Sequence, residues 1–85
     1  MGIYYTKKFE KRLKKLSEKE RIAFYERLEI FIVNKNEKTL NCHYLYGKYS
    51  IFQSINIKGD LRALFEEVDG DFYFHLVGNH NNLYK

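Results

Sequence analysis

Residues 61–76 read LRALFEEVDGDFYFHL. Leu61, Ala63 and Phe65 alternate with Arg62, Leu64 and Glu66 before Asp69-Gly70, and Phe72, Phe74 and Leu76 follow the same beat after it. A period of two is the mark of a strand with one buried face. Asp-Gly between two such runs is a strong hairpin signal. A two-residue turn of type I′ needs positive φ at both centres, which Asp tolerates and glycine adopts freely. The stretch therefore predicts an antiparallel strand pair whose apolar face must be covered by other elements.

Working back along the chain, the same period holds after Gly47. Tyr49, Ile51, Gln53, Ile55 and Ile57 alternate with Ser50, Phe52, Ser54, Asn56 and Lys58, and Gly59-Asp60 marks the next reversal. Asn34 to Asn41 is polar and reads as a loop. Before it the period becomes helical. Ser17 with Glu20 forms a capping box, and Ile22, Phe24, Tyr25, Leu28, Phe31 and Ile32 make a broad apolar stripe ending near Asn34. An earlier helix starts at Thr6, a candidate N-cap, with Phe9, Leu13 and Leu16 between basic residues. Ile3-Tyr4-Tyr5 is a short strand candidate.

The order is β-α-α-β-β-β. Two helices in a hairpin must bury their stripes on one sheet face, so the fold class is α+β with a mainly antiparallel sheet. The alternation assigns Ile51, Ile55, Ile57, Leu61, Ala63, Phe65, Phe72, Phe74 and Leu76 to the helix side. Ser54, Asn56, Lys58, Arg62 and His75 fall on the other face, which an antiparallel sheet can leave to solvent or a ligand.

With 85 residues, eight Tyr and seven Phe, the chain reads as one domain, 1–85, with enough apolar material for a single core. One cysteine, Cys42, excludes an internal disulfide framework and fits a reducing cytosol. Histidine and cysteine lack the paired spacing of a structural zinc site. The longest apolar run, Ile30 to Val33, is far short of the roughly 20 residues that cross a bilayer. The net charge of +4 is concentrated early: residues 1–38 hold eleven Lys or Arg against six acids, and 39–85 hold four against five. The cluster Lys7, Lys8, Lys11, Arg12, Lys14 and Lys15 is either a solvated helix face or a surface for phosphates or an acidic partner.

The tail GNHNNLYK, residues 78–85, sets His80 among turn-forming residues and Tyr84 four positions later. Together with His43, Asp60, Arg62 and the polar sheet face, it forms a set suited to acid–base work on a phosphodiester. RNA brings its own nucleophile, the 2′-hydroxyl. An enzyme must take that proton, protonate the leaving 5′-oxygen and stabilise the charged transition state. Histidine serves either proton-transfer role near neutral pH, and arginine offers phosphate a planar fork of donors. No metal or other cofactor is required. Each residue also has a structural reading: His80 as a turn residue capping the chain end, His43 as a loop residue, Asp60 as a turn residue, Arg62 as the partner of Glu66, His75 as a strand histidine, Tyr84 as tail packing.

The segment L-x-x-H-x-L-x-G (Leu40, His43, Leu45, Gly47), then SINIKGDLRALFE at 54–66 and VGNHNNLY at 77–84, resembles the RelE/ParE superfamily of bacterial type II toxins, most nearly its YafQ-like branch. The helix opening Phe9, Lys11, Leu13, Lys14, Leu16 extends the resemblance over nearly the whole chain. It implies a β-α-α-β-β-β fold, a cytoplasmic bacterial protein, ribosome-dependent mRNA cleavage in the A site, and a cognate antitoxin from the same operon. It places His43, Asp60, His80 and Tyr84 at the catalytic site, with Arg62 on the scissile phosphate. Lys58 and Asn56 would contact RNA beside them, and Lys11, Lys14 and Lys15 would contact rRNA. Asn56 stands where such toxins often carry a further histidine; an amide binds phosphate or a base edge but shuttles no proton. Two alternatives stay open: a ParE-like, non-enzymatic inhibitor of DNA gyrase, and an RNA-binding module without chemistry.

Overall fold

Asp69 and Gly70 have φ of 51° and 84°, the left-handed pair of a type I′ hairpin turn. The structure is a computed structural model and describes residues 2–83. The chain runs β1 (Ile3–Tyr5), α1 (Lys7–Lys15), α2 (Glu18–Val33), a 3₁₀ turn (Lys38–Leu40), β2 (His43–Tyr44), a second 3₁₀ turn (Gly47–Tyr49), β3 (Gln53–Lys58), β4 (Leu61–Val68), β5 (Asp71–Gly78) and a final helical turn, α3 (His80–Leu83). The sheet order is β1-β5-β4-β3-β2. β1 lies parallel to β5, and the remaining pairs are antiparallel. A parallel neighbour needs a crossover, which α1 and α2 provide. The class is α+β, as the periodicities require.

Both helices start where the sequence places their caps. Thr6 Oγ1 accepts the Phe9 N–H at 3.1 Å. Ser17 and Glu20 cap each other reciprocally, at 3.2 Å and 2.9 Å. The core between helices and sheet is largely phenylalanine. Phe31 sits edge-on to Phe65 and Phe72, with centroids 5.0 Å apart in each case, while Phe9, Phe24 and Phe74 pack within 5.8 Å of one another. Such geometry sets the positive edge of one ring against the negative face of the next, adding about 0.5–1.5 kcal/mol per pair beyond area burial.

The structure corrects the face assignment at both ends of the sheet. Leu64 pairs with Leu76 but Phe65 pairs with Phe74, so His75 is an extra residue in β5. This bulge shifts the alternation by one. Val77 therefore enters the core at 2% exposed, and Leu76 moves to the far face beside Leu64. A second irregularity, between Asn56 and Lys58, sets Lys58 opposite Leu61. Lys58 consequently lines a groove with Lys19, Ile22, Glu26 and Arg27 of α2, on the helix side. Ile51 lies before β3 and is exposed, because the segment forms a 3₁₀ turn in place of a longer strand. The α2 stripe is also narrower than its sequence suggests. Phe24, Leu28 and Phe31 are buried, whereas Ile22, Tyr25 and Ile32 stay about half exposed on other sides of the helix.

The far face is not bare. Leu64 is fully buried yet lies outside the helix-side cluster, in one row with Ser54 and Leu76. Two segments close over this side. The Tyr49 hydroxyl donates to the Leu83 carbonyl at 3.4 Å, and the Phe52 ring lies 5.2 Å from His75. What remains open is a cleft at one end of the sheet.

Candidate active site

Four parts of the chain build the cleft, whose volume is about 480 Å³. It is lined by Asn41, His43, Leu45, Tyr46, Tyr49, Arg62 and His80. None of these residues is acidic, so the positive charge of Arg62 is uncompensated by the lining.

His43 is delivered by β2, a two-residue strand pairing His43 with Ser54. The preceding turn is sharp: Asn41 has φ 46°, in the left-handed region that Asn tolerates better than most residues. The turn brings the Asn41 carbonyl to 2.7 Å from His43 Nδ1. A carbonyl only accepts, so this contact assigns the ring proton to Nδ1 and leaves Nε2 of the neutral ring with its lone pair. Arg62 stands in β4 between Asn56 of β3 and Gly78 of β5. Arg62 Nη1 and Asn56 Oδ1 are buried and have no hydrogen-bond partner among the described residues. Buried donors and acceptors are normally satisfied, so the two orphaned atoms mark this row as polar and incompletely paired where Arg62 meets the cleft.

His80 opens α3, and its backbone N–H donates to Asp60 Oδ2 at 3.1 Å. Asp60 does not itself line the cleft; it holds the residue that does. The His75 ring lies away from the cleft, with Nε2 3.3 Å from Glu66 Oε1, at ion-pair distance but without hydrogen-bond alignment.

His43, Arg62 and His80, far apart in sequence, thus share one cleft, with Asn56 beside Arg62 and Asp60 behind His80. Lys58 is not brought there. Lys11, Lys14 and Lys15 lie on α1, on the helix side of the sheet; Lys15 and Arg12 line a separate groove with Val77, Gly78 and Asn82. Tyr84 lies outside the described residues. Among those residues, no three His, Cys, Asp or Glu side chains gather as a metal-ligand set. Sequence reading missed Asn41, Leu45, Tyr46 and Tyr49 as cleft residues. The run Tyr44-x-Tyr46-Gly47-x-Tyr49 was the available signal, an aromatic cluster broken by a turn-forming glycine.

Cys42 and Glu67, neither of which lines the cleft, have shifted pKa values. Burial pushes the Cys42 thiol up, and hydrogen bonds from Lys35 and then Gln53 hold the Glu67 carboxyl below its ordinary value.

No family model matches the chain, and no curated protein does. Solved structures do share its architecture. YafQ from E. coli strain BL21(DE3) superposes with a TM-score of 0.79 at 16% identity, over 98% of this chain and 97% of that one. A chain of the E. coli DinJ-YafQ toxin-antitoxin complex gives 0.76 at 17%, over 98% and 96%. A chain of the archaeal RelE-RelB complex from Pyrococcus horikoshii OT3 gives 0.73 at 16%, over 92% of each. At these identities the likeness is one of architecture, and the fold of this chain is that of YafQ and its RelE-type neighbours.

Proposed function

We propose that this protein is the toxin of a type II toxin–antitoxin pair, a ribosome-dependent endoribonuclease that cuts mRNA without a metal. One observation carries the reading: His43, Arg62 and His80, from three separate elements, line one cleft in which Arg62 Nη1 is buried and unpartnered among the described residues. The fold it shares with YafQ and with a chain of the RelE-RelB complex supports the same conclusion.

The reaction is a transesterification. The 2′-oxygen bonds to phosphorus, the bond from phosphorus to the 5′-oxygen breaks, and a 2′,3′-cyclic phosphate and a 5′-hydroxyl result. His43 Nε2, left with its lone pair by the Asn41 contact, takes the 2′-hydroxyl proton. His80 gives a proton to the departing 5′-oxygen. Arg62 donates to the non-bridging oxygens, where charge accumulates in the transition state. Asn56 adds an amide contact in the same row. Asp60 positions His80 through its backbone, a role that leaves His43 as the base.

The basic face of α1, with Lys11, Lys14 and Lys15, binds rRNA phosphates, so ribosome affinity falls steeply with salt. The antitoxin docks on α2. Ile22, Tyr25, Ile32 and Val33 are 52%, 49%, 48% and 86% exposed, and a helix apolar on both sides calls for cover on the second. Grooves along α2 are basic at Lys19, Arg27 and Lys58 and acidic toward Glu29 and Glu37, matching an amphipathic segment of opposite polarity. No helix among the described residues is long and apolar enough to cross a membrane, in keeping with a site of action on cytoplasmic ribosomes.

The test is primer-extension mapping of mRNA after induction, with His43→Ala and His80→Ala beside the wild type. Each variant stays folded and loses about 10²–10⁴ in cleavage rate, the contribution of one positioned proton-transfer group. Full cleavage by a folded double variant, or inhibition of gyrase supercoiling in place of cleavage, ends the nuclease reading.

A further inference from the structure

The rim of the cleft carries a side chain that this chemistry leaves unused. Tyr46 is 91% exposed and lines the cleft with His43, Arg62 and His80. Among the described residues its side chain has no hydrogen-bond or ring partner. Its backbone, by contrast, is held on both sides. The Leu45 N–H donates to the Phe52 carbonyl at 3.1 Å, and the Tyr46 carbonyl accepts the Tyr49 N–H at 3.3 Å. Gly47, at φ 65°, turns the chain directly after it. A ring is thus presented to solvent from a fixed platform.

The other exposed or nearby tyrosines are placed differently. Tyr44 pairs with Gln53, in the row of the core residue Phe65, which puts it on the opposite face from His43. Tyr49 is tied to Leu83 through its hydroxyl. Among the described residues, Tyr46 is therefore the most exposed tyrosine lining the cleft that holds Arg62. Single-stranded RNA is recognised largely by bases splayed out and stacked on aromatic rings, and every base has a π-face.

We infer that the Tyr46 end of the cleft is a nucleobase subsite. With the scissile phosphate on Arg62, the base of an adjoining nucleotide stacks on the Tyr46 ring. Leu45 and the exposed Asn41 complete its walls. The subsite rests on the reading of the cleft as an RNA site, and it adds a residue that holds the base of the nucleotide beside the cut.

The experiment uses Tyr46→Phe and Tyr46→Ala in two arms. In the first, ribosome-dependent cleavage is measured on mRNAs with an abasic nucleotide placed in turn on each side of the cut. Tyr46→Phe keeps the wild-type rate, and Tyr46→Ala loses roughly 5- to 150-fold, the worth of one stacked base. At one of the two positions the abasic substrate slows the wild type but slows Tyr46→Ala no further. Independent, multiplying losses at both positions overturn the subsite while leaving the nuclease reading intact. The second arm needs neither cleavage nor ribosome: an oligonucleotide with 2-aminopurine at that position and 2′-deoxyribose at the cut. Wild type and Tyr46→Phe quench its fluorescence and Tyr46→Ala does not. Equal quenching by all three overturns the subsite. Quenching by a wild type that cleaves no mRNA upholds it and removes the nuclease.

Discussion

The carboxylate of Asp60 accepts the backbone N–H of His80 across 3.1 Å. This contact joins the β3–β4 turn to the first residue of α3. Gly59, at φ 54°, bends the chain so that Asp60 can reach it. The position of one cleft histidine is thereby set by a residue twenty places earlier.

If Asp60 acts by holding α3, its charge matters less than its acceptor oxygen. Asp60→Asn keeps such an oxygen and retains most cleavage. Asp60→Ala loses about tenfold, in line with one charge-assisted hydrogen bond. Amide exchange of His80, read by NMR, accelerates in Asp60→Ala and stays near wild type in Asp60→Asn. Equal loss of cleavage in both variants would make Asp60 a proton acceptor in its own right.

Leu64 is the buried link between the sheet and the cleft side. Leu64→Ala destabilises the protein by about 2–5 kcal/mol, the usual range for a large-to-small change in a packed interior. Urea unfolding measures this as a lower midpoint with unchanged slope. A midpoint equal to wild type would place Leu64 in a loosely packed region.

Glu67 accepts from Lys35 at 2.6 Å and from Gln53 at 3.1 Å, which depresses its pKa. A carboxyl with a lowered folded-state pKa contributes stability above its unfolded value of about 4.3 and loses it as pH falls through the folded one. Glu67→Gln is accordingly less stable than wild type at pH 7, by less than about 1 kcal/mol for so exposed a pair. The difference closes as pH falls through the folded-state value in the same urea titration. A gap that widens in acid would reverse the assignment.

The antitoxin docking proposed for the outer side of α2 gives a prediction of its own. Ile22→Asp and Val33→Asp leave cleavage unchanged, because both residues are exposed on α2 and neither lines the cleft. Together they weaken antitoxin binding by about thirtyfold or more, the effect of a lost apolar anchor. Calorimetry with purified antitoxin measures it. Unchanged affinity would move the docking site elsewhere.

The elements themselves were legible because their causes are local. Thr6 and Ser17 cap helices through hydrogen bonds three residues away, and Asp69-Gly70 makes its turn from its own backbone preferences. Period-two and helical patterning sorted strands from helices, and the phenylalanines on those faces became the core. The bulges were not legible. Nothing in the residues flanking His75 or Ile57 announces that the register slips there. A slip is decided by how both faces pack across several strands at once, and it moved Leu76 and Lys58 to faces the alternation denied them.

The same division runs through the site. Residue chemistry alone nominated His43, Arg62, His80 and Asp60, because imidazole, guanidinium and carboxylate carry their reactivity with them. Whether they meet depends on strands distant in sequence lying side by side and on two short segments closing over one end of the far face. Tertiary structure alone therefore gathered the two histidines around Arg62, turned Asp60 into a brace for His80, sent Lys58 to α2 and left Tyr46 standing at the rim. Local patterning determines what each segment is; long-range packing, which no window of sequence contains, determines what each residue faces.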